Sequence, residues 1–373
     1  MIWFVDETRR ARAREIGIVV GGLPAGPLNA ITDVPGVRVG HTTLIEGSDI
    51  RTGVTAVVHD RLTGSQGLSA GLATGNGLGK IVGTTQVSEL GVIETPVVLT
   101  GTLSTFRAAD ALVSYMLSLP GNEQLETVNP VVAETNDGFL SDMRRRPVTE
   151  EHVLAALRGA AAGPVAEGAV GAGTGTSALG FKAGIGTSSR IVECGPDTPR
   201  PVTLGVLVQA NFGGTLTVLG VPVPPGPLPG QGAGEQREPG SGEHTTGEQA
   251  AGDPGNSCVI VLATDAPLDS RRLARVAWRS FAGMARAGSD FSGRSGDYAL
   301  AFSTAPQEAA PLPDSSLDPL FVAAADAAEE AILNSLLAAK TTAGFRGHVR
   351  PAVPLDRVRQ LCGARGVLKT DGG

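Results

Sequence analysis

The chain has 373 residues, a formal net charge of -7 and a pI near 5.4, with 41% hydrophobic but only 4% aromatic residues. That length serves one large core or two modest ones, and the acidic balance argues against nucleic acid or an anionic membrane as the main partner, since either favours a basic surface. No apolar run approaches the roughly 20 residues of a membrane span. The first stretch, MIWFVDETRRARAREIG, turns charged after five residues and so lacks the apolar centre of a secretory signal. The expectation is a soluble cytoplasmic protein.

In chain order, the first elements are short β-type segments separated by glycine, such as Gly36 to Gly40 and Gly53 to Val58. Helical spacing follows over about residues 104 to 118 and 149 to 161, on either side of the apolar strand Pro130 to Ala133. The run Gly171 to Gly186 contains Gly-x-Gly, but no lysine follows at the spacing of a phosphate-binding loop, so close backbone packing is the better reading. Thr203 to Val208 and Val259 to Ala263 both read as buried strands.

Two helices close the chain. One begins near Pro267 and lines Leu273, Val276, Ala277, Ser280, Phe281 and Met284 along one face. The other opens with Asp318-Pro319, proline being favoured at the first helical position, and buries Leu320, Ala324, Ala327, Ala331 and Leu333 to Leu337. Strands interspersed with helices make an α/β or α+β protein.

Between the strands at 203 to 208 and 259 to 263 lies a polar Gly/Pro-rich segment running to Asn256. It lacks the apolar residues to offset ordering entropy, so an exposed loop over residues 222 to 256 is expected. Such a segment often links independent domains, but similar buried strands on both flanks favour one domain, residues 1 to 373, with an internal excursion.

That loop meets a buried-looking strand at Pro254-Gly255-Asn256-Ser257-Cys258-Val259. Serine after such a turn is ordinarily just a strand start. The same position also suits a self-cleaving nucleophile. Cutting the Asn256-Ser257 bond gives Ser257 an α-amine of reference pKa roughly 7.7 to 8.0, a built-in base for its own hydroxyl. The uncut chain lacks that group.

Supporting groups are present. Ser295 and Asp297 stand at i, i+2 before the strand Tyr298 to Phe302, which puts a hydroxyl and a carboxylate on one face. Asn211 ends another strand, where its amide suits an oxyanion. Glu134-Thr135-Asn136-Asp137-Gly138 places acidic groups at a third strand end, suited to a substrate ammonium. Each of these also has a plain reading as turn chemistry. Cys194, Cys258 and Cys362 are too far apart for a zinc or redox motif and read as buried thiols of a reducing compartment. The five histidines show no metal-ligand spacing, so neither metal nor other cofactor is expected.

Several blocks together carry a resemblance: Leu28 to Thr43, Arg51 to Val57, Gly75 to Lys80, Val132 to Gly138, Gly171 to Gly175, Gly180 to Arg190 and Ala263 to Leu268. Their order and spread, from about Ile16 to Leu361, resemble the DmpA-type self-processing aminopeptidases, which include the L-aminopeptidase/D-amidase/D-esterases and the β-peptidyl aminopeptidases. The resemblance implies a four-layer α-β-β-α sandwich, two facing sheets with helices outside, of the N-terminal-nucleophile type. It implies cleavage into residues 1 to 256 and 257 to 373 that stay associated, and a homo-oligomer of that pair. By position Ser257 matches the nucleophile, Ser295 and Asp297 its partners and Asn211 the oxyanion group, while Glu134 and Asn136 lie in the segment bordering the substrate amine.

Three positions depart from the family pattern: well-studied members carry Glu where Asp297 stands, and some have an acidic residue at the position of Lys80 and an aromatic near Asn136. The activity implied is release of N-terminal residues from short peptides, amides or esters through an acyl-enzyme. Two other classes compete with it: an acyltransferase of the ornithine acetyltransferase type, and a binding protein of the same fold that never cleaves.

Overall fold

The computed structural model describes residues 10–64, 66–195, 199–226, 257–306 and 308–369. Eleven strands build its two large sheets: β1 (Val37–Glu46), β2 (Ile50–His59), β3 (Leu68–Gly77), β4 (Ile81–Val82), β5 (Val92–Ile93), β6 (Val97–Gly101), β7 (Val131–Thr135), β8 (Ile185–Cys194), β9 (Arg200–Asn211), β10 (Ser257–Thr264) and β11 (Gly296–Ser303). The helices are α1 (Thr84–Leu90), α2 (Thr105–Leu117), α3 (Glu150–Arg158), α4 (Ser270–Ala287), α5 (Asp318–Leu337) and α6 (Leu355–Ala364). One sheet has the order β1-β2-β6-β7-β4 and the other β8-β9-β10-β11-β3-β5.

Alternation along the strands divides the core into layers. Val57, Leu99, Val131 and Ala133 from the first sheet meet Leu207, Val259, Val261, Leu300 and Phe302 from the second. The opposite face of the first sheet, with Val54, Val98 and Val132, packs on α2 and α3. The opposite face of the second, with Val206, Cys258, Ile260 and Ala299, packs on α4 and α5. This is the expected four-layer sandwich.

The helices form where the spacing predicts. Helix α4 starts at Ser270 rather than near Pro267, because the Asp269 side chain accepts the Arg272 backbone N–H and so caps it. Close helix-on-sheet approach depends on missing side chains: a Cβ on Gly186 would lie 1.9 Å from the Ala331 carbonyl oxygen of α5. The Gly171 to Gly186 run is packed in the same way, since a Cβ on Gly175 would sit 2.0 Å from the Arg51 carbonyl oxygen.

The expected loop begins later than residue 222. Val221–Pro222 pairs with Thr217–Val218, and Val223 is fully buried with its N–H on the Leu216 carbonyl. Two apolar residues in an otherwise polar stretch suffice for this turn of hairpin. Residues 227–256, the rest of that loop and Asn256 with it, lie outside the described residues.

Candidate active site

Ser257 is the first residue of β10, which lies between antiparallel β9 and parallel β11. The register pairs it with Asn211, the last residue of β9, and with Gly296, the first of β11. Directly paired residues share a face of the pleat. Ser257 and Asn211 therefore belong to the face that also carries Val259, Val261 and Leu207, between the two sheets. Both are buried.

The Asn211 amide is held by its ends. Its Oδ1 accepts the Ser177 N–H at 3.0 Å and its Nδ2 donates to the Asn136 carbonyl at 2.9 Å. An accepted backbone N–H settles which end is oxygen. Two residues earlier, Gln209 Nε2 donates across the sandwich to Thr135 Oγ1 at 2.8 Å and to the Ala172 carbonyl at 2.9 Å. This end of β9 is thus tied to the first sheet and to the glycine-rich turn.

Asn136, expected to border the substrate, bonds inward. Its carbonyl takes Asn211, and its side-chain oxygen accepts the Gly138 N–H at 2.9 Å.

Ser295 and Asp297 are joined as their spacing predicts. Ser295 Oγ donates to Asp297 Oδ1 at 2.6 Å, and Asn76 Nδ2 donates to Asp297 Oδ2 at 2.8 Å. Asp297 therefore reaches its serine even though aspartate is the shorter carboxylate. Its register partner is Cys258, which places it on the helix side of the sheet, opposite to the Ser257 side chain. The pair consequently flanks the N-terminal end of β10 rather than the hydroxyl itself. Burial raises the Asp297 pKa, against the hydrogen bonds from Ser295, Asn76 and the Cys258 backbone.

Asn76 is the residue that sequence reasoning missed. It reaches Asp297 because the β3–β11 register slips there, leaving Gly75 unpaired as a bulge between Thr74 and Asn76. The only hint was its place in the glycine-flanked block Gly75-Asn76-Gly77. Another missed group is Lys182, fully buried with Nζ on the Gly173 carbonyl at 3.0 Å. Burial lowers its pKa to about 7, opposed by the charge of Asp137, and burial raises Asp137 to about 6. The two groups sense each other through their charges, Lys182 at the glycine-rich turn and Asp137 next to Asn136 in the chain.

Glu134 is 2% exposed. Its Oε1 accepts the Lys80 backbone N–H and the Lys80 ammonium, each at 3.0 Å. Its Oε2 is buried with no hydrogen-bond partner among the described residues. Tyr298 stands beside it, with Gly79 between: a Cβ on Gly79 would be 3.1 Å from the Tyr298 ring and 3.3 Å from Glu134 Oε1. Among the described residues no cluster of three or more His, Cys, Asp or Glu is placed to hold a metal, and no helix is long and apolar enough to cross a membrane.

A four-layer sandwich with a hydroxyl residue opening a central strand, beside an oriented amide and a serine–carboxylate pair, has the architecture of an N-terminal-nucleophile hydrolase. The comparisons agree. A family profile described as peptidase family S58 matches residues 29–350, and the chain belongs to that family.

A β-peptidyl aminopeptidase, BapA, from Sphingosinicella microcystinivorans is 40% identical over 372 residues, covering 94% of this chain and 91% of that protein. The structure of an L-aminopeptidase D-Ala-esterase/amidase from Ochrobactrum anthropi superposes with a TM-score of 0.83 at 36% identity, covering 96% of this chain and 99% of that one. It is described as a prototype of the serine aminopeptidases and a variant of the N-terminal-nucleophile hydrolase fold. A protein from Pyrococcus horikoshii OT3 gives a TM-score of 0.84 at 42% identity, covering 96% of this chain and all of that one. The protein is a serine-type aminopeptidase, and the hydrolase reading prevails over the acyltransferase and the non-cleaving binding protein.

Proposed function

We propose that the chain cuts itself at Asn256-Ser257 and then uses Ser257 to release N-terminal residues, α- or β-linked, from short peptides, amides or esters. The observation that carries this is the place of Ser257, first in its strand with Asn211 across from it and the Ser295–Asp297 pair at the strand end.

In the precursor, Ser257 Oγ attacks the Asn256 carbonyl and displaces the Ser257 nitrogen, leaving an ester that water hydrolyses. The new α-amine then takes the proton of Oγ as that oxygen attacks a substrate carbonyl. Asn211 donates to the oxyanion. The proton passes to the leaving amine or alcohol, and water, deprotonated by the same α-amine, frees the acyl group. The Ser295–Asp297 pair holds the α-amine in place, as its side of the pleat suggests. Glu134 takes the substrate ammonium on its unsatisfied oxygen.

Denaturing mass spectrometry tests the reading. Two polypeptides, 1–256 and 257–373, are expected from wild type and one intact chain from Ser257→Ala; an uncut wild type would refute self-processing. We further propose that residues 1–373 are one domain whose two products stay associated and assemble as a homo-oligomer in the cytoplasm. The three buried free cysteines support a reducing compartment. Native mass measurement checks the assembly.

A further inference from the structure

Glu134 is a buried carboxylate with one oxygen spoken for and one not. Lys80 supplies both donors to Oε1, from backbone and side chain, while Oε2 has no partner among the described residues. A buried acceptor left unsatisfied is costly, and water, an ion or a substrate group can complete it. The Lys80 side chain is 36% exposed, and an ammonium has three donors, of which Glu134 takes one. A cation and an anion thus stand in contact at the rim of the site, each with bonding capacity to spare. An incoming ammonium bound to Oε2 lies next to the Lys80 charge and is repelled by it. A carboxylate on the same carbon as that ammonium removes the repulsion by pairing with Lys80.

We propose that Lys80 is a specificity-determining residue which, with Glu134, selects N-terminal residues carrying a carboxylate beside the amine. The β-aspartyl residue has this chemistry, since it is a β-alanyl residue with a carboxylate added on the amine-bearing carbon. The inference rests on the reading of Glu134 as the ammonium site.

The test compares β-aspartyl and β-alanyl p-nitroanilides on the processed enzyme. Wild type is expected to favour the β-aspartyl substrate by about tenfold in kcat/KM, the effect of one hydrogen-bonded charge pair. Lys80→Met should lose that preference, mainly through KM of the β-aspartyl substrate, and Lys80→Arg should retain it. A preference within twofold of wild type in Lys80→Met overturns the proposal, as does wild type that cleaves β-alanyl but not β-aspartyl substrate. Failure of the underlying reading looks different: Glu134→Gln would then leave KM unchanged for both substrates.

Discussion

Two carboxylates buried in the sandwich, Glu134 at the site and Glu330 on the inner face of helix α5, are completed in opposite ways. Both oxygens of Glu330 are taken: Arg14 donates at 2.8 and 3.1 Å, Arg190 at 2.6 Å and Asn29 at 2.5 Å. Burial pushes the Glu330 pKa up, but the Arg14 hydrogen bond and the Arg190 and Arg14 charges outweigh it and hold the carboxyl below its usual range. Glu134 keeps one oxygen unsatisfied. A carboxylate that joins the N-terminal segment, β8 and α5 must be saturated to be worth burying, whereas the role proposed for Glu134, taking a substrate ammonium, needs spare capacity.

The contrast predicts that substitutions at the site cost activity and those under α5 cost stability. The largest effect is expected at Ser257, where alanine should lower peptide hydrolysis by at least about 10⁴-fold while leaving the denaturant midpoint within error. Arg190→Met, which strips Glu330 of a buried partner, should destabilise by about 3 to 5 kcal/mol; urea titration reads this, and activity per folded molecule should persist. Asn211→Ala should reduce kcat by about 10² to 10³ with little change in KM. Equal losses of activity and stability in both regions would erase the distinction.

The smallest effect concerns pH. Glu329, the residue before Glu330, has its pKa raised to about 7, chiefly by burial; Arg286 and Arg190 oppose the rise and Asp326 adds to it. The folded state therefore binds a proton that the unfolded state releases between about pH 4.5 and 7, so this group's contribution to stability falls as pH rises through that window. Glu329→Gln should raise the melting temperature at pH 8 relative to wild type, and do so less at pH 5. A gain that is the same at both pH values would exclude the assignment.

What the sequence made legible follows the range of each interaction. The apolar run after Ser257, the Asp318-Pro319 helix start and the Ser295–Asp297 spacing are local patterns, and each appears in the structure where the residues place it. The partners of those residues come from far away. Asn76 meets Asp297 across 221 positions through a bulge, and Arg190 meets Glu330 across 140. No periodicity encodes such pairs. Helix α5 was equally deceptive: its alanine and leucine pattern announces an apolar helix, yet it buries Asp326, Glu329, Glu330, Asn334 and Ser335, because Arg286, Arg14 and Arg190 reach the three carboxylates, the Ala13 N–H and the Thr187 carbonyl take the Asn334 amide, and Ser335 donates within its own helix.

The order of the second sheet bears on what holds a cut chain together. Strands β10 and β11, both after residue 256, are flanked by β9 on one side and β3 on the other, both before it. A break at residue 256 leaves the later piece seated like a tongue in a groove, hydrogen-bonded along two seams. Pulling the pieces apart means tearing both seams and exposing two layers of core at once. Scission at this point, as proposed, would change the chemistry without loosening the shape, and denaturant, rather than dilution, is what should part the two halves.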